Sequence, residues 1–178
     1  SGIGLFANTS GAILKNIDLV NVTVDVGTNQ VGGLVGYAGG STIITDVSVS
    51  GTISGGSEVG GLAGETESTI SISNAARSAV VSGTNYVGGL VGVNAGNISS
   101  SSASGDVTGT NLRVGGLVGH ATDGEITDSS ASGAVDGVSE VGGLAGRSEG
   151  DISRSFASGG VSGEVYLGGL VGSLGSNS

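Results

Sequence analysis

Bulky apolar residues recur along this chain in a fixed order, separated by glycines and small polar residues. The clearest instance is Val-Gly-Gly-Leu-Val-Gly at 31–36, with near-copies starting at Val59, Val87, Val114, Val141 and Leu167. A degenerate copy, Gly2-Ile3-Gly4-Leu5-Phe6-Ala7, stands near the beginning. The leucines Leu5, Leu34, Leu62, Leu90, Leu117, Leu144 and Leu170 mark the repeat and lie 29, 28, 28, 27, 27 and 26 residues apart. A period in this range signals an architecture built by stacking similar units.

Between markers the apolar positions form columns. One runs Ile44, Ile72, Ile98, Ile126, Ile152; three residues later comes Val47, Ala75, Ser101, Ser129, Ser155. Then follow Val49, Arg77, Ala103, Ala131, Ala157 and Ile53, Val81, Val107, Val135, Val161. Offsets of two and four keep side chains on one face of a strand, whereas the offset of three implies a corner or bulge before the Ser position. Each repeat thus reads as three short strands: the marker itself, the segment after the turn at Asn94-Ala95-Gly96-Asn97, and a very short one at Val107. Recurrent glycine amid Val, Ile, Thr and Ser opposes helix. The expected fold is all-β, a single parallel β-solenoid over 1–178 with about six rungs of 26–29 residues. Right-handed coiling is expected, because parallel crossovers are overwhelmingly of that hand.

Two further expectations concern the columns. The first repeat fills them with Leu14, Ile17, Leu19, Val22 and Val24, while the last three use Ile, Ser, Ala and Val. Falling side-chain volume together with the shortening period predicts a rod that tapers toward its C-terminus. Arg77 stands in a column otherwise of Val and Ala. An unpaired buried charge is costly, so a bulge near Ala75-Ala76 is expected to turn Arg77 outward.

Composition narrows the function. The 178 residues include 39 Gly and no Pro, Cys, Met or Trp, yet mean hydropathy is positive at +0.31. That fits an ordered core made of small pieces better than a flexible linker. Fifteen acidic against five basic residues give a net charge of −10, which disfavours nucleic acid as a partner. Without cysteine there is no disulfide or thiolate-metal framework. No apolar run approaches the roughly 20 residues of a spanning helix, and no secretory leader is evident. A soluble chain without membrane insertion is therefore expected.

The glycine-rich marker is no phosphate loop, since that chemistry needs a following helix with basic and hydroxyl partners. The single histidine, His120, falls in a column (Tyr37, Glu65, Val93, His120, Arg147) that changes chemical type at every rung, as an exposed corner would. Asp123, Glu125, Asp128 and Asp151 lie in or near turns on adjacent rungs, where paired carboxylates can act on glycosides or hold Ca²⁺. They lack the Gly-Gly-x-Gly-x-Asp nonapeptide of calcium-binding β-rolls. Threonines in Gly27-Thr28-Asn29, Gly83-Thr84-Asn85 and Gly109-Thr110-Asn111 form no unbroken rank of the kind that binds ice. No catalytic, cofactor or metal residue is assigned, and a non-enzymatic chain is expected.

The most suggestive stripe precedes the marker: Gln30, Glu58, Tyr86, Arg113, Glu140 and Tyr166. Neighbouring rungs should place Arg113 between Tyr86 and Glu140, able to stack on the ring and pair with the acid. Exposed Tyr and Arg are favoured at interfaces, so Glu58, Tyr86, Arg113, Glu140 and Tyr166 form a candidate binding stripe for protein or glycan.

Gly-Gly-Leu-Val-Gly, then Ile-x-x-Ser-x-Ala-x-Gly, then Val-x-Gly resembles the GLUG-motif repeats of large secreted and surface-attached bacterial proteins. The pattern is clearest in 94–172, at Ser101-Ser102-Ala103-Ser104-Gly105, Ser129 to Gly133 and Ser155 to Gly159, and weakens before Gly36. The resemblance implies an extracellular or cell-surface spacer or adhesin-like stalk, with no catalytic residues to carry over. A second expectation is end-to-end self-association into a fibre or sheath, because neither end supplies the polar cap a solenoid needs.

Overall fold

The computed structural model describes residues 2–175, except for the side chain of Arg77. These residues contain no helix; they coil about six times into a parallel β-solenoid with three sheets. The marker builds two of them. Its first half supplies the six-stranded sheet, with strands such as Asn85–Gly88 and Leu112–Gly115. Its second half supplies the seven-stranded sheet, with strands such as Val91–Asn94 and Val118–Ala121. The remaining strands form the fourteen-stranded sheet.

The marker, expected to be one strand, is two. The chain bends at Gly89-Leu90, so Val87 enters one core cluster while Leu90 and Val91 enter another. Only glycine suits the bend: a Cβ on Gly89 would press on the Ala103 methyl and on the main chain of Gly116 in the next coil. The interior is thus two apolar lobes with a waist where the glycines meet the alanine column. Three strands per coil hold for Val31–Gly32, Val35–Gly39 and Ile43–Ser54; from the coil that starts at Ser57 onward there are five.

Matching residues pair across coils in the expected columns. Ile98 pairs with Ile72 and Ile126, Val107 with Val81 and Val135, and Val87 with Val59 and Val114. All of these are essentially buried. The predicted corner after the Ile column is real and has a backbone signature. Asn16, Asp46, Asn74, Ser100, Asp128 and Arg154, one per coil, adopt positive φ between 47° and 55°.

The corner also settles the register at Arg77. Ala76 pairs with Ser48 and Ser102, and Arg77 with Val49 and Ala103, so the expected bulge at Ala75-Ala76 is absent. The turn is taken one residue earlier, at Asn74. A bulge does occur in the first coil, between Leu19 and Val22, where Asn21 has φ of 55°. From the second coil onward nine residues always separate the Ile and Val columns, as between Ile98 and Val107 or Ile152 and Val161. The period therefore shortens in the turns, while what diminishes inside the strand frame is side-chain volume.

The Ser column is more than small filler. Ser101 and Ser129 are buried at 3% and 1% exposure. Each hydroxyl donates to the carbonyl two residues back, Ser101 to Ser99 at 2.8 Å and Ser129 to Thr127 at 2.7 Å. Each also accepts the N–H of the preceding coil: Ala75 donates to Ser101 Oγ, Ser101 to Ser129 Oγ and Ser129 to Ser155 Oγ. Backbone donors released at the corner are satisfied this way, as buried polar groups require.

Candidate functional site

The bend that splits the marker also creates a chemically varied surface. The residue before each marker and the residue after it, seven apart in sequence, are folded toward one another. Gly119 shows how close the approach is. A Cβ there would lie 2.5 Å from the carbonyl carbon of Tyr86 and 2.6 Å from the amide nitrogen of Val87 in the preceding coil. The stripe Gln30, Glu58, Tyr86, Arg113, Glu140, Tyr166 therefore lines one wall of a seam, and the column Tyr37, Glu65, Val93, His120, Arg147 the other.

In the middle of the seam the expected contacts are present. Arg113 Nε donates to Glu140 Oε2 at 2.7 Å, and its guanidinium carbon sits 5.3 Å from the Tyr86 ring centre. The structure adds partners that the sequence pattern does not reveal. Arg113 Nη1 is 3.3 Å from His120 Nδ1, and the His120 ring stacks on Tyr86 with centroids 6.0 Å apart. His120 Nε2 is 3.4 Å from Glu149 Oε1, which also accepts from Arg147 Nε at 3.0 Å. Arg147 Nη1 returns to Glu140 at 3.4 Å. His120 is thus no exposed corner, since its side chain retains 12% exposure. The sequence does carry a signal for this: the sevenfold separation recurs in every coil, but its meaning depends on the marker bending.

The N-terminal part of the seam is acidic. Gln30 Nε2 donates to Glu65 Oε2 at 2.6 Å, and the Tyr37 hydroxyl donates to Glu67. Burial and the neighbouring Glu65 raise the Glu58 carboxyl above its ordinary range. Tyr166 lies at the other end and is 67% exposed.

The backbone of the stripe is unusual. All six residues have positive φ, from 52° to 60°. In this left-handed region glycine is free of strain, and among other residues Asn and Asp are accommodated most readily. The corner rank described above obeys that preference with Asn16, Asp46, Asn74 and Asp128. The stripe does not: long Gln, Glu, Tyr and Arg side chains sit at the strained position in every coil. Backbone outliers of this kind mark positions worth examining for function.

Asp128 is engaged by Arg154 through two bonds of 2.8 and 2.9 Å on the exposed surface, and Glu125 and Asp151 are register partners. Among the described residues no three His, Cys, Asp or Glu side chains are grouped to hold a metal ion. No helix among them is long and apolar enough to cross a membrane.

Comparison with curated proteins and with solved structures gave no match. A family model, the GLUG motif, matches residues 27–54, 83–108 and 110–136. Each match runs from the turn before a marker to the Val-column strand, which is one coil of the solenoid. The coil between the first two matches and the coil after the third pair with the matched ones in the same register. Residues 27–136 thus carry GLUG-motif repeats, each motif forming one coil of the β-solenoid.

Proposed function

We propose that the chain is a non-enzymatic structural and adhesive repeat region of an extracellular bacterial surface protein. In that role a stiff stack of coils presents the seam to a protein or glycan. The observation that carries the reading is the division of labour within each coil. Columns of Val, Leu, Ile, Ser and Gly are nearly uniform from coil to coil and, in the inner coils, buried, and they hold the coils together through parallel ladders. The seam, by contrast, differs in chemistry from coil to coil, and its long side chains occupy a strained backbone position. Binding surfaces grafted on a repetitive scaffold have this form. The reading places the chain outside the cell and assigns it no catalytic residue, cofactor or nucleic-acid partner.

Antibody raised against the purified chain tests it on the organism that produces it. Labelling of intact cells, lost after brief external protease treatment, is expected; labelling only after permeabilisation would overturn the surface assignment. Adhesion is tested by applying the chain to an array of immobilised glycans and extracellular-matrix proteins. Replacing Tyr86 and Tyr166 with Ser is expected to abolish capture, and undiminished capture would remove the stripe from the binding face.

A further inference from the structure

The centre of the seam contains a titratable group that its neighbours tolerate in only one charge state. Arg113 is a pure donor, so the ring nitrogen facing it, His120 Nδ1 at 3.3 Å, must accept and carry no proton. The proton of the neutral ring is then on Nε2, toward Glu149. Every charged group packed on His120 can be named. Arg113 lies on the same coil and Tyr86 on the preceding one, while Arg147 is its register partner on the following coil. Glu149 lies beyond Arg147, and the second register partner of His120, Val93, is uncharged. Glu140 bridges both arginines without touching His120. Two arginines already balance two glutamates, so a second proton on His120 would add an unmatched cation in a half-buried seam and turn Nδ1 into a donor facing a donor.

We propose that His120 is a proton-operated latch: its protonation unseats the Arg113–His120 contact and uncovers the Tyr86 ring and the Arg113 guanidinium, leaving the stack of coils intact. The geometry gives the direction of the switch. Burial, followed by the charge of Arg113, holds the His120 pKa below its ordinary value, with Glu149 opposing in part. A folded-state pKa depressed in this way means the latch is closed above about 6.5. It opens, and its contribution to stability is lost, as pH falls through the depressed value. The proposal refines the binding stripe described above by giving it a trigger. Its test reads Tyr86 and His120 directly, so a seam that binds nothing leaves the result standing.

The experiment is an NMR titration of the whole chain from about pH 7.5 to about pH 4.5, the range in which histidine changes charge. The His120 ring is expected to titrate below the ordinary histidine value. The Tyr86 ring signals should move with the same midpoint, those of Tyr37 and Tyr166 should not follow it, and far-UV circular dichroism should stay constant. Arg113→Gln should move the His120 midpoint upward, and Glu149→Gln downward. In His120→Gln the Tyr86 signals should be flat with pH. A Tyr86 that stays still while His120 titrates in the wild-type chain overturns the latch whatever the variants do. So does a Tyr86 transition that persists in His120→Gln.

Discussion

Replacing Gly119 by alanine tests the idea that the marker glycines are packing devices. The added methyl would sit 2.5 Å from the Tyr86 carbonyl carbon, 2.6 Å from the Val87 nitrogen and 2.7 Å from the Gly92 oxygen. All three are main-chain atoms, so no side chain can rotate away. Reaching ordinary contact distances of about 3.5 Å requires the two strands to part by roughly 1 Å. Overpacking of this kind costs about 1–3 kcal/mol. Opposing it, alanine restricts the unfolded chain and returns about 0.4–1 kcal/mol. The net expectation is a loss of about 1–2 kcal/mol, read as a lowered denaturation midpoint at unchanged slope. Gly160 is the control, because nothing lies within 4 Å of a Cβ there and its φ is not positive. Gly160→Ala should be neutral or slightly stabilising. If the two variants shift the midpoint equally, the close approach of marker strands is not what selects glycine.

Two other consequences can be measured. Ser129→Ala removes a buried hydroxyl and leaves the Ser101 N–H without its acceptor, at a cost of about 1–3 kcal/mol and several degrees in thermal melting. Exposed Ser132→Ala should stay within about 0.5 kcal/mol of the parent. Tyr37 donates to Glu67, with burial and the charges of Glu67 and Glu65 adding to the effect, and its phenol is pushed up to about 12. Phenolate absorbance should show one tyrosine ionising late, the bond persisting below that value and lost as pH climbs through it. Glu67→Gln should bring it back toward 10.

How much of this is legible in the sequence depends on whether a feature is written in side-chain type or in backbone geometry. The columns Ile72, Ile98, Ile126 and Val81, Val107, Val135 are readable because burial selects bulk at each turn of the coil. The corner is readable too, since an offset of three between columns cannot lie on one face of a strand, and four of its six left-handed residues are Asn or Asp. The stripe gives no such signal: Gln30, Glu58, Tyr86, Arg113, Glu140 and Tyr166 are poor left-handed residues, so their backbone is hidden. The split of the marker is hidden for a related reason, because consecutive glycines fit a straight strand as well as a bend. Without the bend, His120 and Arg147 look unrelated to Arg113 and Glu140. The Tyr86–Arg113–Glu140 contact is foreseeable because it depends only on adjacent coils being in register.

That register is the central claim, and a pair of cysteines tests it most directly. The chain has no cysteine of its own. Ser102 and Ser130 are register partners on adjacent coils, and Ser130 is in turn the partner of Phe156. Adjacent coils lie about 4.8 Å apart, within reach of a disulfide, whereas two coils are about 9.6 Å apart and beyond it. Mild oxidation of the Ser102→Cys/Ser130→Cys chain should give rapid, intrachain closure, and Ser102→Cys/Phe156→Cys should remain open. Equal closure of both pairs, or failure of the first, would contradict the solenoid register on which the seam and its chemistry depend.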